Sequence, residues 1–178
     1  SYVGDKRFND KIKSNSIDVF NDSKKSDTSS LNKLRQINQS ILSNENKLNY
    51  KLKEFDLLNN IQSKEFPIYF LRLNQRGGIQ SFYETGNRLV YTSKKDYLDW
   101  LSRLEQFSQN INTSLEINKK GLANKITQPK LVTEAVIAQI SAILESDIEN
   151  NPYMKVFLEA DENILSSNEK NSLIEKAK

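Results

Sequence analysis

The 178-residue chain contains no cysteine and no histidine. Zinc sites built on thiolate or imidazole, Ser/His and Cys/His nucleophile pairs, and disulfide frameworks all need a residue type that is missing here. Glycine is scarce too. The five present are Gly4, Gly77, Gly78, Gly86 and Gly121, and no two of them have the spacing of a Walker or dinucleotide-binding loop. No stretch approaches the roughly 18 consecutive apolar residues of a membrane helix, so no membrane span is expected. The lack of cysteine leaves the compartment open, because a chain long enough to bury a core folds without disulfides. The first residues, Ser1-Tyr2-Val3, carry neither an initiator Met nor a charged-then-apolar leader. They read as a mature form or as a piece of something longer.

Charge of one sign is also thin. The formal net charge is +3, but acids and bases alternate along most of the chain. A nucleic-acid footprint needs basic residues clustered on one face, so no nucleic-acid partner is expected.

What remains is dominated by helical periodicity. Ile17 and Phe20, then Leu31, Leu34, Ile37 and Ile41, fall at three- and four-residue spacing. Between them "NDSKKSDTSS" (21–30) has no apolar residue. Either one long helix covers 17–43 or a helix restarts near Ser29 or Ser30, and the spacing favours the single helix. Leu48, Leu52, Phe55, Leu58 and Ile61 repeat the pattern after the short polar connection "LSNEN", which predicts a helical hairpin ended before Pro67. Ser93 with Asp96 has capping-box spacing and starts the strongest helix, with Tyr97, Leu101, Leu104, Phe107, Ile111 and Leu115 in one stripe. Asp99 with Arg103 and Glu116 with Lys120 are expected as i,i+4 pairs on its wet side, and Gly121 as its C-terminal cap. Pro129 opens a further helix in its first turn. That helix is apolar on two sides, Val132, Val136, Ile140 and Ile143 against Ala135, Ala138 and Ala142, and is expected to be central. A turn around Pro152 follows, then a last helix capped by Ser166 and Glu169, with no stop signal at residue 178. That open end predicts a chain that continues in nature.

Few constellations carry chemistry. "DENILSSNEKNS" places Asp161 and Asn163 at the first and third positions of a calcium loop, but Leu165 fails the fifth, and the central Gly and closing Glu are lacking. Glu159, Asp161 and Glu162 form a surface-like acidic run rather than an acid/base pair. The least ordinary stretch is "LNQRGGIQSFYETGNRLVYT" (73–92). On one reading Gly77 and Gly78 only allow a tight bend, through positive φ or close backbone approach. On the other, Gln75, Arg76 and Tyr83 beside them line a groove completed by residues elsewhere.

Several pieces, in order, resemble one family. "SYVGDKRFNDKI" (1–12), "NQRGGIQ" (74–80) and "TSKKDYLDWLSRLEQFSQNINTSLEINKKGLANKITQPKLVTEAVIAQI" (92–140) are similar to the opening pattern, the Gly-Gly-aliphatic element and the long Asp-Tyr…Arg-Leu helix with its following turn and helix. The family is the bacterial domain of unknown function family 885. The resemblance implies a mainly helical, exported protein, periplasmic, extracellular or lipoprotein, similar to zinc metallopeptidases of the carboxypeptidase Taq type. It places the family's His-Glu and Pro-Gly-His metal motif in a C-terminal half. With no histidine here, no metal or catalytic residue carries over, and zinc is implied only for a full-length protein. The polar 21–30 tract departs from the Ala- and Leu-richer family pattern.

The expectation is therefore a mainly α chain: a single helical region over 1–178, built as an elongated bundle of about five helices, with an irregular Gly-Gly loop or short hairpin near 66–92. It is read as the N-terminal portion of a longer protein. The candidate cleft-lining residues are Gln75, Arg76, Gly77, Gly78 and Tyr83. The expected partners are the missing C-terminal half and a peptide substrate. The alternative is a non-catalytic helical interaction module.

Overall fold

Ser16, Ser43 and Ser166 each turn a side-chain oxygen onto the backbone N–H three residues ahead, satisfying a donor that has no partner inside the helix it opens. The computed structural model describes residues 5–178, so Ser1 to Gly4 of the opening pattern lie outside the described residues. Among these described residues seven α-helices follow in order: α1 (Ile17–Arg35), α2 (Asn44–Ser63), α3 (Tyr83–Asn87), α4 (Lys94–Ala123), α5 (Lys130–Leu144), α6 (Lys155–Leu158) and α7 (Ser167–Ala177). There is no strand among the described residues. Five helices have eleven residues or more, matching the number that the apolar periodicity predicts. The 66–92 region forms no hairpin. It holds two 3-10 turns, Ile68–Phe70 and Ile79–Ser81, around an irregular loop, and then the short α3.

α1 runs unbroken through the polar tract but stops at Arg35 rather than near residue 43. The tract is helical because it faces α2. Asp27 accepts a 2.7 Å hydrogen bond from Lys64, and Lys24 sits 3.9 Å from Glu65. Leu31, Tyr50 and Leu57 fill the seam between the two helices, and Arg35 meets Glu54 at 3.0 Å. The predicted α2 stripe is turned the other way. Leu48, Leu52, Phe55 and Leu58 are 42–63% exposed, so they do not form the hairpin seam.

α4 is the axis of the molecule. Tyr97, Trp100 and Leu101 from its first half pack with Val156 and Phe157 of α6, with Ala160 and Leu165, and with Leu173 of α7. An aromatic row extends this core: Phe82 stacks on Trp100 at 5.3 Å and on Phe107 at 4.2 Å, between ring centroids. A second face of α4 receives the chain that precedes α1. Gln106 accepts from the Ile12 N–H at 3.2 Å and donates to the Asp10 carbonyl at 2.6 Å. Asn110 donates to the Lys13 carbonyl, while Asn15 donates to the Asn110 carbonyl at 2.9 Å and to the Ser114 hydroxyl at 2.7 Å. An extended segment has no helix to satisfy its backbone, so these amide side chains take that role.

Three further expectations change. α5 is peripheral, with Val136 its single buried residue and Leu131, Ile137 and Leu144 58–78% exposed. The core forms instead around α4, α6 and α7. Pro129 precedes the first turn of α5 as its N-cap residue. Gly121 lies inside the last turn of α4, and the helix ends on Asn124 with Lys125 at φ 60°. A Cβ on Gly121 would stand 2.9 Å from the Ile126 carbonyl oxygen and 3.0 Å from Phe70, so the glycine permits close packing rather than capping.

Gly86 has the tightest such position. A Cβ there would lie 2.4 Å from the Trp100 ring, inside the core. Gly86→Ala is therefore expected to lower stability by about 1–3 kcal/mol through overpacking. Urea unfolding followed by the signal of the single tryptophan should show a lowered midpoint with an unchanged slope.

Candidate functional site

The Gly-Gly loop is a clamped bend. Gln80, buried behind it, donates from Nε2 to the Asn74 carbonyl and to Gln139 Oε1 of α5, each at 2.8 Å. Gln139 in turn donates to the Gln75 carbonyl at 2.9 Å. From the other side the Tyr153 hydroxyl donates to the Ile79 carbonyl at 3.2 Å, and Tyr83 packs edge-on against Tyr153 with centroids 5.5 Å apart. Burial pushes the Tyr153 phenol up to about 12, so it remains a donor at neutral pH.

The five candidate residues do not converge. Gln75, Gly78 and Tyr83 sit half-buried in the clamp, whereas Arg76 and Gly77 are exposed. Gly78 has extended backbone, φ −148°, and a Cβ on it would stand 3.1 Å from the Asn74 carbonyl oxygen. Of the two uses foreseen for the glycine pair, close approach applies to Gly78 and positive φ to neither.

A cavity of about 500 Å³ opens beside the start of α4, and none of those five residues lines it. Its volume falls within the range of small-molecule sites. One wall is a single stripe of α4, Asp96, Asp99, Trp100 and Arg103, which the i, i+3, i+4, i+7 spacing puts on one face. Leu89 to Thr92, the connection from α3, forms the opposite wall, with Lys6 at the rim.

Each charge on that stripe has a different fate. Asp96 Oδ2 accepts from the Thr92 and Ser93 N–H groups, both at 3.0 Å, and from both hydroxyls, while Oδ1 takes Lys6 Nζ at 2.9 Å. Burial alone would raise its pKa. The hydrogen bonds from Lys6, Thr92 and Ser93 outweigh burial and hold the carboxyl well below its ordinary range. This completes the predicted Ser93 and Asp96 cap. Asp99 is bound by Lys95, at 2.6 and 2.7 Å, and not by Arg103 as the i,i+4 spacing suggested. Lys95 reaches Asp99 from the preceding turn of the same helix face. Likewise Glu116 pairs with Lys119 rather than Lys120.

Arg103 is left without an ion-pair partner among the described residues, and its buried Nε–H has no acceptor. The Nε1–H of Trp100, a fully buried residue, has none either. Each such buried donor costs about 1–3 kcal/mol relative to a satisfied one. Tyr91 does not serve as an anion for them. Burial first, then Tyr97 and Asp96, push its phenol well above the ordinary value against the pull of Arg103, and its hydroxyl donates to the Gly86 carbonyl at 2.9 Å.

Sequence reasoning missed this cavity, although one signal was present. Asp96, Asp99 and Arg103 interrupt the same helical arc as Tyr97, Trp100 and Leu101, where a purely structural face would be apolar or fully wet.

The zinc that the family resemblance implies finds no ligand set in these residues. The chain has no histidine or cysteine, and the described residues hold no cluster of three or more carboxylates that would bind a metal. The acidic run at 159–162 is spent locally: Asp161 accepts from Asn163 in a turn, and Glu159 lies 3.8 Å from Lys155.

Asp96→Asn is expected to destabilise the fold by about 2 kcal/mol at pH 7, since the amide cannot accept from all its present donors as an anion does. The folded pKa lies below the unfolded value near 3.9, so this stability is fully present above that pH and drains away as pH falls towards the folded pKa. Urea unfolding at pH 7 and pH 3 checks it. The gap between the native chain and Asp96→Asn should narrow at pH 3.

The whole chain, residues 1–178, matches the sequence profile of the family described as "Bacterial protein of unknown function (DUF885)". No curated protein and no solved structure matches.

Proposed function

Because the chain belongs to the DUF885 family of bacterial proteins, we propose that residues 1–178 are the N-terminal helical portion of an exported protein resembling zinc metallopeptidases. They serve as scaffold and as part of a cleft wall, without catalytic groups of their own. One observation carries this reading: the chain exposes far more surface than its mass calls for. Its accessible area is 12195 Å² for 20.6 kDa, against roughly 8,900 Å² for a self-contained folded monomer of that size. The excess is partly apolar and ordered into faces. Leu48, Leu52, Phe55 and Leu58 form one on α2, and Leu131, Ile137 and Leu144 lie exposed along α5. Apolar faces of this extent call for cover. The occupant proposed is a C-terminal half of the same polypeptide, which would also bring the metal ligands lacking here. The Gly-Gly loop, clamped between α5 and Tyr153, would then border the cleft through Arg76 and Gly77, its exposed residues.

The same apolar faces favour a second reading, a non-catalytic interaction module whose α2 stripe receives a partner helix.

Elemental analysis and peptide cleavage separate the two. On the first reading, the long polypeptide carries about one zinc per chain and cleaves peptides until a chelator is added, while residues 1–178 do neither. In addition, Phe55→Cys, the lone thiol of this Cys-free chain, is expected to react with a thiol reagent freely in residues 1–178 and at least tenfold more slowly in the long form. Absence of metal and cleavage in both forms, with Phe55→Cys equally reactive in both, contradicts it and leaves the module.

A further inference from the structure

The cavity beside α4 has features that a cleft wall does not require. Two buried N–H donors one turn apart, Trp100 Nε1 and Arg103 Nε, belong to its lining and have no acceptor. The charges around them are otherwise accounted for: Lys6 is bound to Asp96, Lys95 to Asp99, and Arg88 to Glu84. Of the charged residues that line the cavity, Arg103 alone has no counterion among the described residues. We propose that this cavity binds a small monocarboxylic acid with an apolar body, its carboxylate paired to the Arg103 guanidinium and its body against Leu89, Val90 and Tyr91.

The class follows from the charge balance and the walls. A guanidinium presents a planar fork of donors that matches a carboxylate, and burial makes that pairing stronger than it is in water. A single uncompensated positive charge suits a monoanion. A phosphate dianion would bring a second negative charge towards Asp96 and Asp99 with no second free cation to meet it. The walls opposite Arg103 are aliphatic and aromatic, which favours an acid carrying a hydrocarbon portion over a wholly polar one. The Tyr91 hydroxyl is committed to the Gly86 carbonyl and does not compete as a counterion.

The single tryptophan of the chain reports occupancy directly, since it lies against the site. Titration of the chain with hexanoate is expected to give a saturable change in Trp100 fluorescence, absent with hexanamide and with inorganic phosphate at equal concentration. Arg103→Gln should weaken hexanoate binding at least tenfold with an unchanged far-ultraviolet helical signal, and Arg103→Lys should retain part of the affinity. No saturable response to hexanoate, an equal response to hexanamide, or unaltered affinity in Arg103→Gln would overturn the site. An equal response to phosphate would overturn the carboxylate class. If Arg103→Gln loses its helical signal, Arg103→Lys decides: affinity weakened at least threefold supports the site, and unchanged affinity refutes it.

Discussion

The chain from Asp5 to Ser16, a turn at 7–10 followed by an irregular stretch, has backbone groups that no helix satisfies, and α4 takes up those of Asp10, Ile12 and Lys13. Gln106, Asn110 and Ser114 stand at four-residue intervals along one face and bind Asp10, Ile12, Lys13 and Asn15 in order. At the head of the same helix Asp96 holds Lys6. The opposite face carries Tyr97, Trp100 and Leu101 into the core with α6 and α7. One thirty-residue helix thus fixes the N-terminal segment, the aromatic core and the cavity between them. Shifting its register by one residue would turn all three faces together, and the donors on Asp96 fix where the helix starts.

The parts of this arrangement legible in the sequence are those set by neighbours in the chain. Ser93 with Asp96 and Ser166 with Glu169 close their caps as the spacing indicates, because the interacting groups lie within one turn. The Pro67 and Pro152 breaks have the same local origin, whereas the continuity of α1 through its polar tract is supported by its ion pairs with the end of α2. What failed depends on partners distant in sequence. The α2 stripe reads as a hairpin seam, but cross-helix ion pairs with α1 select the opposite face. The α5 helix reads as central from its own two-sided apolarity, yet the core forms where Trp100 meets Phe157. One failure is local: Asp99 has two i,i+4 candidates on α4, and Lys95 rather than Arg103 takes its carboxylate.

Those misreadings point at function. A stripe of Leu and Phe that does not pack internally, and a helix with three large aliphatic side chains in water, are the surfaces on which the proposed docking of further polypeptide rests. The glycine loop is structural in its hydrogen bonding, with Gln80 and Gln139 bridging it to α5. The α4 cavity is different in kind. It combines apolar walls with unsatisfied donors, a pairing that local periodicity does not reveal because its two walls come from separate elements.

The Ile12 amide offers the most direct measurement of the central role of α4. Its N–H donates to Gln106 Oε1 and to no backbone carbonyl, so its hydrogen exchange reports that single contact. The account predicts slow exchange at Ile12 in the native chain and acceleration by Gln106→Ala, with the amides of α6 and α7 still protected. Exchange at the unprotected rate in the native chain would contradict it, because the N-terminal segment would then not be held by α4.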